Sequence, residues 1–295
     1  MGLRRKEFEI ITHLEQTGGG MSQREIAEKT GMSLGSVNRV MTSLLSNGYI
    51  KENAVTPVGY AALEPYRVKR AVFIAAGFGS RLVPITLNTP KPLVRVRGTR
   101  IIDTLLDAVV AAGIQEIFIV RGYLGEQFDQ LKYKYPQIQF LENPVYNETN
   151  NISSMMVARY LLRNAYVFEA DLMLFNPRLI TKYQYTSNYL GVPVDSTDDW
   201  CFEAKNNTIS KLSIGGTDCY HMFGISYWND EDGAKLAEDI KKVYEKPGGK
   251  ERFWDQVPLE YCMKNYKVEA RRCTFNDIAE IDTYSDLKKL DSTYR

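Results

Sequence analysis

Two short stretches hold residues whose types and spacing could handle phosphate. Ala75-Ala76-Gly77-Phe78-Gly79-Ser80-Arg81-Leu82 follows the apolar run Val72-Phe73-Ile74-Ala75, and Thr89-Pro90-Lys91-Pro92-Leu93 comes shortly after. Glycines let backbone N–H groups approach phosphate oxygens closely, and Arg81 supplies a guanidinium able to fork across a triphosphate. The loop is not a P-loop, because the GK[ST] ending is missing, and not a dinucleotide fingerprint, because no third glycine completes GxGxxG. A G-x-G after a strand, taken alone, also reads as a tight strand-to-helix turn.

The elements around this loop alternate. Ile101 to Ala112 reads as a helix, Ile117 to Val120 as a strand, Glu126 to Tyr135 as a helix and Ile138 to Leu141 as a strand. Asn151 to Arg163 then reads as a helix and Tyr166 to Ala170 as a strand. That succession predicts an α/β fold, Rossmann-like, with a mixed, mainly parallel sheet. From Tyr189 onward Gly- and Asn-broken short strands, Cys201 to Lys205, Thr208 to Leu212 and Tyr220 to Trp228, suggest an antiparallel or mixed extension suited to one side of a cleft.

A different pattern precedes Glu64-Pro65-Tyr66, the expected boundary between domains 1–66 and 67–295. Glu7 to Gln16 has helical apolar spacing and stops at Gly18-Gly19-Gly20. Ser22 with Glu25 forms a capping-box signal for a helix burying Ile26 and Ala27, and Gly31 ends it. Ser33 caps a third helix whose buried stripe is Val37, Val40, Met41, Leu44 and Leu45, while Ser36, Asn38, Arg39 and Ser43 face outward. The order is that of a helix-turn-helix, followed by a shortened wing and a closing helix over Thr56 to Leu63. The SQREIAEKTGMSLGSVNRVMTSLLSNGYI run and the TPVGYAALEP end resemble winged-helix domains of multiple-antibiotic-resistance-type regulators. That resemblance implies DNA as a partner; a helical module for packing or homodimerisation is the other reading. The charge split is slight, ten Lys/Arg against seven Asp/Glu in residues 1–70 and 27 against 29 thereafter, well below what would argue for nucleic acid by itself.

The bulk numbers narrow the classes. The chain has 295 residues, 44% hydrophobic and 25% charged, as in an ordinary globular protein with room for two domains. No apolar run reaches membrane-spanning length and the start is charged, so the expected location is cytoplasmic. Cys201, Cys219, Cys262 and Cys273 form no CxxC, which argues against a zinc site or a disulfide framework.

The combination AAGxGSRL and TPKPL resembles the signature of the nucleotidyltransferases that make nucleotide-activated sugars and alcohols. The resemblance continues through Ile101-Ile102-Asp103, Arg121-Gly122-Tyr123, Glu169-Ala170-Asp171 and Ile278-Ala279-Glu280-Ile281-Asp282. It implies a nucleotidyltransferase fold, nucleotide contacts from Ala75, Ala76, Gly77, Gly79, Ser80, Lys91, Tyr123 and Asn151, and catalysis by Arg81, Lys91 and Asp171. It also implies Mg²⁺ on Asp171 and Asp282, with Glu280 as a further ligand. Mg²⁺ takes few carboxylates plus phosphate oxygens and water, so two distant segments suffice. Read without the family, Asp282 is a helix N-cap before Tyr284 to Leu290.

Within that family the chain is similar to bacterial CTP:phosphocholine cytidylyltransferases, on GYLGEQF (122–128), Tyr146, NNISSM (150–155), Asp199-Trp200, GISYW (224–228) and Phe253-Trp254-Asp255. The first loop begins with Ala75 where leucine is usual, and Leu172 follows Asp171 where asparagine is usual. The implied reaction joins CTP and phosphocholine. A trimethylammonium has no hydrogen to donate, so aromatic faces and a nearby acid must read it; Trp200, Trp254 and Asp255 fit, although core aromatics are the plainer account of the tryptophans. Asn150, Ser153 and Ser154 are expected beside the acceptor, unless they cap a helix. A primary amine, as in phosphoethanolamine or 2-aminoethylphosphonate, would use acids such as Asp195, Asp198 and Asp199, and a sugar 1-phosphate keeps the chemistry. A regulator with a metabolite-sensing second domain is the competing class, against which the intact Lys91, Arg81, Asp171 and Asp282 argue.

Overall fold

The computed structural model describes residues 2–294, which divide into two compact units with the boundary between Arg67 and Val68. In the first, α1 (Arg5–Thr17), α2 (Gln23–Thr30) and α3 (Leu34–Ser46) precede a small hairpin of β1 (Ile50–Lys51) and β2 (Ala54–Val55), then α4 (Pro57–Leu63). Local chemistry accounts for each boundary. Ser22 and Glu25 make a reciprocal capping box on α2, Ser33 caps α3, Thr56 caps α4, and Gly18 and Gly31 adopt the left-handed conformation that closes α1 and α2. The wing turns through Glu52 and Asn53, both with positive φ, as a two-residue hairpin turn demands. The buried stripe of α3 is Val37, Val40, Met41 and Leu44. Leu45 departs from expectation, at 51% exposed, because it lies one position beyond the 3.6-residue face.

The second unit is built on a seven-stranded sheet in the order β10-β12-β11-β8-β3-β6-β7, with β10 also pairing β11. Its strands are β3 (Arg70–Ala75), β6 (Glu116–Arg121), β7 (Ile138–Glu142), β8 (Ala165–Glu169), β10 (Asn188–Lys205), β11 (Thr208–Trp228) and β12 (Glu269–Arg272). A small hairpin, β4 (Arg95–Val96) with β5 (Thr99–Arg100), and a clip, β9 (Leu172–Leu174) with β13 (Ile278–Glu280), lie outside it. The β7-β6-β3-β8 run is parallel, and β11 is antiparallel to β8. The helices are α5 (Ile101–Ala111), α6 (Ile152–Ala158), α7 (Asp230–Tyr244) and α8 (Tyr284–Leu290). Alternate residues of the central strands feed opposite faces. Ala71, Phe73, Ile117 and Ile119 pack with Ile102, Leu105, Leu106 and Val109 of α5, while Val72, Phe118 and Val120 pack with Ala158 of α6. Both faces are covered, as a parallel sheet requires.

Three segments differ from the periodicity. Glu126 to Tyr135 is a 3-10 segment, Gly125–Tyr133, entered through Leu124 at φ 47. The helix expected to Arg163 is α6 followed by a 3-10 turn, Arg159–Leu161. The short strands expected after Tyr189 are two long ones, β10 and β11, joined at Asn206-Asn207, both at positive φ, with several register shifts. Bulges let long strands bend without ending, so the glycines there mark close packing rather than breaks: a Cβ on Gly191 would lie 2.8 Å from the Phe202 ring.

Candidate active site

β3 ends at Ala75 and runs directly into the glycine loop. Gly79, with φ 68, lets the chain turn into the 3-10 segment Ser80–Leu82, and a Cβ there would crowd Lys91 Cβ at 3.1 Å. Gly77 has nothing within 4 Å of a Cβ position, leaving its backbone open to a ligand. The loop is held from behind: Thr86 Oγ1 donates to the Gly79 carbonyl at 3.0 Å, and the Tyr123 N–H donates to the Ala76 carbonyl at 3.0 Å. Gly77, Gly79, Ser80, Arg81 and Lys91 line one side of a cavity, and Asp171 and Asp282 line the other.

The clip explains how two acids more than a hundred residues apart meet. Asp171 follows the end of β8 and leads into β9, which pairs antiparallel with β13, Leu172 opposite Glu280. The Ile281 N–H then donates to the Asp171 carbonyl at 3.1 Å. α8 begins at once, capped by Thr283 with Asp286 in a reciprocal box, so the cap is Thr283 and the Asp282 side chain is left for the cavity. Lys91 Nζ lies 2.8 Å from Asp171 Oδ2 and 2.9 Å from Asp282 Oδ1, and Arg81 Nη2 lies 2.8 Å from Asp282 Oδ1. Burial opposes the Lys91 charge, yet the two carboxylates outweigh it and hold its pKa above the ordinary lysine value.

Carboxylate oxygens of Asp171, Glu280 and Asp282 lie within 4.8 Å of one another. Burial, with Asp171 and Asp282 adding repulsion, holds Glu280 well above the usual carboxylate range. Asp171 Oδ1 is buried without a hydrogen-bond partner. Crowded carboxylates with an orphaned oxygen are what a small, hard divalent cation relieves, so the donor set fits Mg²⁺.

A second, wider cavity of about 460 Å³ adjoins the first and shares Arg81, Asn151, Glu169, Asp171 and Asp282 with it. Its remaining wall comes from β10 and β11 (Asp199, Trp200, Met222, Gly224) and from Asn150, Phe253, Asp255 and Glu280. Trp200 and Phe253 meet edge to face, with ring centroids 5.5 Å apart. Asp255 is buried and accepts the Tyr189 hydroxyl at 2.5 Å; burial outweighs that hydrogen bond and pushes its pKa up to about 7. Glu169 is raised well above the usual carboxylate range by burial first, then by Asp255 and Asp171.

Both units resemble known proteins. Residues 70–187 match the Nucleotidyl transferase family, and residues 3–51 match Winged helix-turn-helix DNA-binding. A 2-aminoethylphosphonate cytidylyltransferase of Lancefieldella rimae is 37% identical over 76% of this chain and 92% of its own length. The chain belongs to the nucleotidyltransferase family. The choline-phosphate cytidylyltransferase of Streptococcus pneumoniae is 31% identical to this nucleotidyltransferase over 75% of the chain and 96% of the relative. A solved structure of the CTP:phosphocholine cytidylyltransferase from that organism superimposes with a TM-score of 0.70 at 32% identity, covering 78% of this chain and all of the other.

The nucleotidyltransferase places several expected site residues elsewhere. Trp254 is 1% exposed, packed against Tyr189 and Trp228; it anchors the core, and its neighbour Phe253 is the ring on the cavity wall. Ser153 and Ser154 are buried and accept hydrogen bonds from the Asn143 side chain at 2.9 and 3.0 Å, so they fasten α6 to the end of β7. Tyr123 is outside the lining of both cavities. Its hydroxyl donates to the Thr86 and Leu87 carbonyls and its ring meets Phe78, which supports the loop from outside. Ala76 is buried behind the loop, while Ala75 lines the cavity. Glu169 was not among the expected site residues, although Glu169-Ala170-Asp171 stands at a strand end; a carboxylate two residues before Asp171 on the cavity side was the available signal. No helix of the described residues is long and apolar enough to cross a membrane.

Proposed function

We propose that the chain transfers CMP from CTP to a small phosphate or phosphonate bearing an ammonium head, releasing pyrophosphate. The observation that carries the acceptor is the pair Glu169 and Asp255. Both line the wider cavity, and among the described residues no lysine or arginine pairs with either. Burial favours their neutral forms, and an acceptor that brings its own cation offsets that cost by pairing with them as carboxylates. A primary ammonium donates hydrogen bonds to carboxylates directly, which puts a 2-aminoethylphosphonate-like acceptor first and agrees with the Lancefieldella relative. Phosphocholine is the second reading, carried by the Trp200–Phe253 corner and the streptococcal relative; Phe253 takes the place on the wall that the sequence reading gave to Trp254.

In this reading an acceptor oxygen, already anionic, attacks the α-phosphorus of CTP in line. The new P–O bond forms as the bond to the bridging oxygen breaks, and pyrophosphate takes the electron pair. No general base is needed. The loop amides of Gly77 to Ser80 hold the triphosphate, and Lys91 and Arg81 turn from the carboxylates to the charge gathering on phosphate. Mg²⁺ held by Asp171, Asp282 and Glu280 would supply further neutralisation of the phosphate oxygens. Pyrophosphate release with CTP and Mg²⁺ tests this against 2-aminoethylphosphonate, phosphoethanolamine, phosphocholine and glucose 1-phosphate, with Asp171→Ala as control. Preference for the amines supports the first reading and preference for phosphocholine the second. Turnover only with the sugar phosphate would sink both.

We further propose that residues 1–66 read DNA. Asn38, Arg39 and Thr42 are exposed along α3, the face that a helix-turn-helix lays in a major groove.

A further inference from the structure

We infer that Asn151 is a positioning residue that fixes the distance between Glu169 and Asp255, and thereby sets the acceptor wall. The inference rests on the reading that the wider cavity takes a cationic acceptor. Asn151 occupies the N-cap position of α6, yet its side chain makes no capping bond. The carboxamide is spent on two other elements. Its Nδ2 donates to Glu169 Oε1 at 3.1 Å, at the end of β8, and its Oδ1 accepts the backbone N–H of Trp254 at 2.8 Å, directly before Asp255.

The chain between α7 and Asp255 has no regular backbone ladder of its own, so something else must hold its course. Asn150 adds to the clasp: its N–H donates to the Lys250 carbonyl at 2.8 Å and its Nδ2 to the Glu251 carbonyl at 3.2 Å. Its Oδ1 accepts the Asn151 N–H at 2.7 Å, which locks the two asparagines together. On the other flank, Glu169 lies flat against Gly224, where an added Cβ would fall 2.5 Å from Glu169 Cγ. Glu169 is thus confined between a glycine and a donor, and the segment bearing Asp255 hangs from the same donor group.

Residue chemistry selects asparagine here. A carboxamide offers one acceptor and one donor on adjacent atoms, and the partners dictate which is which: an N–H needs the oxygen and a carboxylate needs the NH₂. Aspartate keeps the acceptor for Trp254 but turns the donor into an anion facing Glu169. Alanine loses both.

Two full-length variants separate the halves of the clasp. Hydrogen exchange of residues 250–256, measured without substrates, is expected to quicken in Asn151→Ala and to stay near wild type in Asn151→Asp. In pyrophosphate-release kinetics with CTP and 2-aminoethylphosphonate, both variants are expected to raise the acceptor KM about tenfold or more, the scale of one charge-assisted hydrogen bond. The CTP KM should stay within about twofold, a split that a merely structural role would not give. An equal rise in both KM values would overturn the inference and make Asn151 a nucleotide contact; unchanged exchange in Asn151→Ala, or an unchanged acceptor KM in Asn151→Asp, would overturn it as well. If Asn151→Ala does not fold, Asn151→Asp still decides. Failure of wild type to use any cationic acceptor would remove the functional reading, while the exchange comparison would still decide the clasp.

Discussion

Lys91 concentrates the electrostatics of the site in one ammonium. Buried and shared between Asp171 and Asp282, it stays protonated because two carboxylates outweigh desolvation. Lys91→Met leaves those acids facing each other and removes the proposed phosphate contact, so turnover should fall about a hundredfold or more while stability drops by about 3–5 kcal/mol; steady-state kinetics and thermal unfolding read the two effects separately. Asp255 behaves oppositely. Its pKa is pushed from the ordinary aspartate value up to about 7, so the unfolded chain loses this proton first as pH rises. The stability it contributes is fully present below about pH 4 and is lost as pH climbs through about 7. Asp255→Asn should therefore gain melting temperature relative to wild type across that window and lose the gain below it. Equal differences at pH 4 and pH 8 would show that burial does not act on this carboxyl as described.

At the scale of elements, the proposed acceptor wall depends on a close approach of β11 to β8. Gly224 makes that approach possible, since a methyl there would overlap Glu169. Gly224→Ala should displace Glu169, raise the acceptor KM about tenfold and cost about 1–3 kcal/mol from overpacking, with the CTP KM little changed; kinetics with both substrates varied would check it. Helix α3 carries its own prediction. Anisotropy titrations of the full chain with duplex DNA should weaken as salt rises, and Arg39→Ala should flatten that slope by about one contact. Affinity insensitive to salt and to Arg39 would assign α3 another role.

For the whole molecule, the division at Arg67 and Val68 separates two sets of core residues. The first unit buries Phe8, Ile11, Leu14, Ile26, Val37 and Leu44, and the second has its own clusters on both sheet faces. Every residue of the proposed chemistry lies in the second unit. A chain beginning at Val68 should accordingly retain kcat/KM for CTP within about twofold, the additivity expected of independent sites; a large loss would show that residues 1–67 support the site.

The sequence alone determined whatever short-range chemistry specifies. Capping boxes and glycine stops marked the helices of the first unit and alternating apolar runs marked the parallel strands, because each signal spans only a few residues; Lys91, Asp171 and Asp282 were joined by the family resemblance alone, and the fold is what brings them around one cavity. Tertiary structure decided the rest. That Phe253 rather than Trp254 faces the cavity depends on which side of an irregular segment points into the core, and no period runs through residues 245–255 to say so. The bends of β10 and β11 come from register shifts against a partner strand, which a single strand does not display. Ser153, Ser154 and Tyr123 carry polar groups suited to a ligand, and only long-range geometry shows those groups spent on Asn143 and on the Thr86 and Leu87 carbonyls. Glu169 is the reverse case: an acid at a strand end became part of the site because Gly224 and Asn151, distant in sequence, close around it.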